Sequence, residues 1–272
     1  MNQHLQRLAV GSILSVVITF CIVALSSSII AGIFALLGVL AVYEWGRLIN
    51  DSSNKKKQRV YVLIGVLSTL LLASLSIYYD NRIILYVAAL WWFIALLISI
   101  FYNVRLCKNV IFRWFLSVHI VIALAACGVS VYLLHEMAWS LLLYAVILVI
   151  VSDTSAYYVG RRIGKSKLAP TISPGKTREG FWAALFAVMV LSLSTAILFL
   201  ENNTALNVVS WIFLSLIACI VGVVGDLTES MAKRCAGVKD SGNLLPGHGG
   251  LLDRLDAFIA VAPVIALGVL YI

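Results

Sequence analysis

Charge is the scarcest ingredient of this sequence. Only 12% of the 272 residues are charged, 12 of them acidic, while 62% are hydrophobic. A soluble domain carries about 25% charged residues and at most about half apolar ones, so this mixture cannot cover a water-facing surface. Proline is nearly absent, at four residues, and no Pro- or Gly-rich linker divides the chain. That excludes a string of tethered domains. Period-2 alternation is also missing. Runs such as Leu185–Leu200 and Val208–Gly225 are almost continuously apolar, which excludes barrel strands and leaves helices. The five cysteines (Cys21, Cys107, Cys127, Cys219 and Cys235) contain no C-x-x-C pair, and three lie in apolar runs. Neither a disulfide framework nor a zinc site is expected from them. The apolar stretch 8–25 is longer than the roughly 7–15 residues of a signal-peptide core, so no cleavable leader is expected and the stretch reads as a first membrane span.

What is abundant is hydrophobic length. Runs of about 20 apolar residues are long enough to span a bilayer. The expected fold is an all-α polytopic integral membrane protein with about nine transmembrane helices, at roughly 8–25, 26–45, 60–79, 83–101, 112–134, 139–157, 181–200, 207–228 and 253–272. With the N-terminus in the cytoplasm and the C-terminus outside, 19 of the 20 basic residues fall on the inner side and Arg82 alone falls outside, as the positive-inside rule requires. The net charge of +8 then reads as topology signal plus attraction to anionic lipid headgroups, and not as a nucleic-acid surface. The run Lys55–Lys57 reads as a topology determinant. No internal repeat is evident. The chain reads as one integrated membrane domain, with about five spans over 1–138 and a catalytic region of about four spans and two cytoplasmic motif loops over 139–272.

Two long inner segments hold the unusual chemistry. The first, Ser152 to Gly180, contains Asp153, Tyr157, Arg161, Lys165, Lys167, Ser173, Lys176, Thr177 and Glu179 among turn glycines. Backbone N–H groups at glycine turns and helix starts bind phosphate oxygens, and cations supply the countercharge. Ser173-Pro174 reads as an N-cap with proline at N1, opening span seven. The second segment joins spans eight and nine. On a helix running to about Ala236, Asp226, Glu229 and Lys233 share a face, and Asp253 and Asp256 share one at the start of span nine. The glycine turn between brings the two faces together. Carboxylates this near hydrocarbon are costly, a central Asp costing at least about 2.5 kcal/mol, which marks them as functional candidates. Carboxylates beside cations and glycine turns suit a nucleotide–Mg²⁺ complex.

Blander roles are open for several residues. Asp240 and Glu179 can pair with nearby lysines, and Arg254 can be an ion-pair partner between two aspartates. His248 can be a structural hydrogen-bonder in its turn. His119 is expected to bond another helix, and His4 and His135 to be loop residues. Trp91, Trp92 and Trp139 are expected to pack or to lie in an aromatic belt.

The second segment, Ser230-x-x-Lys233-Arg234-x4-Lys239-Asp240-x4-Leu245-Pro246-Gly247-His248-Gly249-Gly250-x2-Asp253-Arg254-x-Asp256, resembles the signature of the CDP-diacylglycerol synthase (phosphatidate cytidylyltransferase) family. The first segment resembles the same family in Asp-Thr-x-Ala-Tyr, Gly-Arg-x-x-Gly-Lys-x-Lys-Leu-x-Pro and Ile-Ser-Pro followed by Lys-Thr-x-Glu-Gly. It departs in Gly175, where a second lysine is usual, and in Arg178, where tryptophan is. The resemblance implies transfer of CMP from CTP to phosphatidic acid, giving CDP-diacylglycerol and pyrophosphate. It implies Mg²⁺ held by Asp226 and Asp253, with room for a monovalent cation such as K⁺, and a homodimer. Lys233, Arg234, Lys239, Asp240, His248, Arg254 and Asp256 are then expected in the catalytic machinery. The nine residues named in the first segment are expected on the nucleotide side. With no organelle-targeting segment evident, a bacterial inner membrane is expected, with the site facing the cytoplasm. The rival readings are a CTP-dependent lipid kinase of the dolichol-kinase kind and an organic-anion transporter.

Overall fold

A computed structural model describes residues 16–49, 55–199, 204–242, 244 and 249–272. The described part of α1 covers 16–24. It is followed by α2 (Ser27–Ile49), α3 (Lys55–Tyr78), α4 (Asn81–Ile100), a 3₁₀ turn (Val104–Lys108), α5 (Val110–Met137) and α6 (Trp139–Ile163). Next come β1 (Lys167–Ala169), β2 (Ser173–Thr177), α7 (Arg178–Phe199), α8 (Ala205–Cys235) and α9 (Leu252–Val269). Short polar residues punctuate the apolar runs. Asp80 caps α4 by accepting from Arg82 N–H, Asn109 caps α5, and Thr204 caps α8. Each satisfies amides that a helix start leaves unpaired.

Among the described residues, seven helices, α2 to α8, are long and apolar enough to cross a bilayer. The all-α polytopic membrane architecture is therefore the expected one. Of the two further spans expected from sequence, the first lies partly outside the described residues. The last is α9, whose first turns carry Asp253, Arg254 and Asp256. Helix α5 is the central post. It packs against α2, α3, α4, α6 and α9, and its buried His119 accepts from Trp91 Nε1 on α4 at 2.9 Å. Trp91 stacks on Phe115 and Trp92 is buried against His119, so both are packing residues, while Trp139 is exposed at the start of α6.

Three expectations are corrected. Ser173-Pro174 does not open α7. It lies in β2, which pairs antiparallel with β1, and the cap falls on Thr177, whose Oγ1 accepts from Gly180 N–H. Proline has no N–H to give a ladder, but in a two-stranded hairpin it can sit on the open side. His135 is not a loop residue. It ends α5 and ties down the α1–α2 turn through Ile22 O and Ser27 Oγ. His4 lies outside the described residues. Cys107 and Cys235 form a disulfide across 128 residues of sequence, a pairing set by where the 3₁₀ turn meets the end of α8. Spacing in the sequence carries no trace of it. Cys127 and Cys219 stay free and buried, as small hydrophobes do.

Candidate active site

Helices α8 and α9 pack against each other from Gly225 beside Asp256 to Leu214 beside Gly268. Gly225 makes this possible, because a Cβ there would sit 2.4 Å from Asp256 O and 2.9 Å from Ala260 Cβ. The close approach brings the carboxylates after Gly225 beside those at the start of α9. The β-hairpin folds back over the same end, fastened by Arg234 Nε donating to Ile172 O at 3.0 Å.

Two lysine–carboxylate groups result. In the first, Lys176 Nζ of β2 lies 2.7 Å from Asp226 Oδ2 of α8, and Ser230 Oγ donates to Asp226 Oδ1. Asp153 of α6 and Asp256 of α9 both lie in the field of Asp226 and Lys176. Three carboxylates thus face one ammonium. In the second, Lys233 Nζ bridges Glu229 Oε2 at 2.9 Å and Asp253 Oδ1 at 2.7 Å. Asp253 Oδ2 accepts from Ser241 N–H, Ser241 Oγ and Gly250 N–H. Glu229 Oε1 is buried with no hydrogen-bond partner, in the field of Asp253 and Asp256.

The sequence-named residues divide accordingly. Asp153, Lys176, Asp226, Asp256, Lys233 and Asp253 come together where α6, the end of α8 and the start of α9 meet β2. Thr177 and Glu179 serve the hairpin, Glu179 by accepting from Ser166 N–H. Neither Glu179 nor Asp240 is in any of the three ion pairs among the described residues, so the expected lysine pairings are not made. Tyr157 accepts from Arg161 on the exposed face of α6. Lys165 and Lys167 are exposed, Ser173 is half-buried, and Lys239 and Arg254 are exposed. His248 lies outside the described residues.

Glu44 is the residue the sequence reading missed. It sits on α2, 1% exposed, and its carboxylate accepts from Leu251 N–H, Leu252 N–H and Ser241 Oγ. It therefore caps α9 from another helix, where a negative charge meets the positive end of the dipole. A signal existed, since Glu44 is the only acidic residue in the first 50 and lies at the inner end of a span.

The donor atoms here are hard oxygens, which fit Mg²⁺ or another hard divalent cation. The unpartnered Glu229 Oε1 is a further oxygen lacking a cationic or N–H partner. Among the described residues, no group of three or more His, Cys, Asp or Glu could hold a metal ion by itself. An ion held by one or two of these carboxylates would complete its shell with waters and substrate phosphates, the usual arrangement for Mg²⁺.

Fold and site together define a polytopic helical membrane protein with a lysine-and-carboxylate centre for phosphate chemistry at one end of its bundle. A model of the cytidylyltransferase family matches residues 5–272, and the chain belongs to that family. It is 35% identical to a phosphatidate cytidylyltransferase of Haemophilus influenzae over 246 residues, covering 84% of this chain and 85% of the relative. It is 48% identical to a phosphatidate cytidylyltransferase of Staphylococcus aureus over 126 residues, 46% of each chain. The Staphylococcus haemolyticus protein of that name is 46% identical over 124 residues, again 46% of each.

Proposed function

We propose that the protein is a phosphatidate cytidylyltransferase, moving CMP from CTP to phosphatidic acid to give CDP-diacylglycerol and pyrophosphate in phospholipid synthesis. One observation carries this reading: two lysine–carboxylate groups, Lys176–Asp226 and Lys233–Asp253–Glu229, stand together where β2, α8 and α9 meet, with Lys176, Lys233 and Asp253 in the quoted motifs. Family membership and the relatives' names support it.

A phosphate oxygen of phosphatidate bonds to the α-phosphorus of CTP, the α–β bridging bond breaks, and pyrophosphate leaves. A phosphate monoester dianion is already nucleophilic, so positioning and charge neutralisation dominate. Lys176, Lys233 and Lys239, with His248 of the signature, meet phosphate charge. Arg234 and Thr177 hold the hairpin in place over the site, and Asp153, Lys165, Lys167, Ser173 and Lys176 face the nucleotide. Asp226 and Asp253 would hold Mg²⁺, each releasing its lysine to a phosphate. When bound, the ion polarises the phosphoryl group and neutralises developing charge. The membrane is a bacterial inner membrane with the basic end of the bundle in the cytoplasm, N-terminus inside and C-terminus outside, and the working form is a homodimer.

The test uses purified full chain, phosphatidate, Mg²⁺ and CTP labelled at either the α- or the γ-phosphate. Label from the α position enters the lipid and label from the γ position leaves as pyrophosphate. Lipid labelled from the γ position would instead identify a CTP-dependent lipid kinase and end this reading.

A further inference from the structure

The cations of the N-terminal half do not merely flank spans. An open cleft of about 1480 Å³ lies between α2, α3, the start of α5 and the segment leaving α8. Arg47, Lys55, Arg59, Arg113 and Lys239 line it, against one carboxylate, Asp240. None of the five cations is in an ion pair with a carboxylate among the described residues. Arg113 is fixed to the wall by donating to Ile49 O. Five cations against one described carboxylate at one end of the bundle favour an anion.

The other half of the ligand is written in the neighbouring helices. A second cavity, about 240 Å³ and lined almost wholly by apolar groups, runs between α2, α3 and α5 past Phe34, Gly38 and Leu124. Both cavities share Val39, Val62's neighbour Val66, and the α2–α3 seam. A cationic chamber beside an apolar slot, with Val39 and Val66 lining both, matches a molecule with an anionic head and a hydrocarbon tail. Basic pockets between membrane helices on the cytoplasmic side take phospholipid heads, and a free nucleotide has no tail to fill the slot.

We propose that this double cavity is the seat of the acceptor lipid, with the phosphate monoester of phosphatidate among Arg47, Arg59, Arg113 and Lys239 and an acyl chain in the slot. The proposal rests on the reading of the enzyme given above. It also gives the N-terminal helices a part in the reaction. The chamber and the carboxylate site share a wall, since Ser241 lines the chamber and hydrogen-bonds both Asp253 and Glu44. The head is thereby delivered to the loop that carries the motif residues.

The experiment measures steady-state kinetics in mixed micelles for the full chain, Arg59→Gln, Arg47→Gln and Val39→Phe, alongside direct binding of dioctanoyl phosphatidate without CTP. A charge-assisted hydrogen bond to phosphate is worth about 1.5–3 kcal/mol. Each arginine variant should therefore raise the KM for phosphatidate at least about tenfold, with KM for CTP unchanged. The unchanged CTP constant also certifies the fold. Val39→Phe should weaken long-chain phosphatidate more than the dioctanoyl form, and inorganic phosphate should fail to displace the lipid. Unchanged KM for phosphatidate in both arginine variants, or a rise confined to CTP, overturns the proposal. So does displacement by inorganic phosphate at concentrations matching the lipid, which marks a free-anion site. Loss of lipid binding in the arginine variants of a protein that makes no CDP-diacylglycerol would uphold the lipid seat and overturn the enzyme reading alone.

Discussion

Each of the two motif lysines sits on a carboxylate proposed above as a metal ligand. Lys176 reaches Asp226 across from the hairpin, and Lys233 reaches Asp253 across from α8. An ammonium there balances charge that would otherwise be costly near hydrocarbon. Glu44 works differently. It touches no motif carboxylate, but it accepts from the amides that begin α9 and from Ser241, which in turn bonds Asp253. It is a positioning residue. Glu44→Ala leaves those buried donors unpaired, at about 1–3 kcal/mol. The expected result is a lower unfolding temperature in detergent and a fall in kcat, with Glu44→Gln recovering part of both. Equal thermal stability and kcat in wild type and Glu44→Ala would show that the cap is dispensable. The motif residues were legible in the sequence because their pattern is dense. Glu44 was not, because its partners lie about 200 positions away and a single acid in a greasy stretch announces no partner.

At the scale of elements, the site depends on how closely α8 and α9 approach. Gly225→Ala places a methyl against the Asp256 carbonyl. Overpacking of this kind costs about 1–3 kcal/mol and moves Asp226 away from Asp256. Activity should drop more than tenfold. Gly32, with nothing within 4 Å of its added Cβ, is the matched control, and Gly32→Ala should keep activity and stability. If the two variants behave alike in an activity assay, close helix packing is not what sets the site. Apolar periodicity and length made the helices themselves readable. The hairpin was not readable, since five residues with Pro174 and Gly175 give little strand signal, and Ser-Pro is an equally good helix start by local rules. The pairing of β1 with β2 and the clasp from Arg234 decide the matter, and both are tertiary.

Across the whole molecule, the basic loops gather at one end. Arg47, Lys55, Arg113 and Lys239 share one cavity wall, the Cys107–Cys235 bond joins the 3₁₀ turn to α8, and Arg234 reaches the hairpin. At the other end Tyr86 meets Tyr271, and His135 holds the α1–α2 turn. The segregation of charge in the sequence anticipated this polarity. It did not anticipate that the N-terminal half closes the site through Glu44 and the cationic chamber, because hydropathy fixes that a helix crosses a membrane and not which helix it faces.

On the proposed function, Asp226 and Asp253, where α6, α8 and α9 meet, belong to one divalent-ion and nucleotide site. Mn²⁺ binding read by electron paramagnetic resonance, with CTP present, tests it most directly in the full chain and in Asp226→Asn and Asp253→Asn. We expect wild type to take up Mn²⁺ with CTP and each variant to bind at least about tenfold more weakly, about 1.4 kcal/mol. Both variants binding the ion as wild type does would contradict the account.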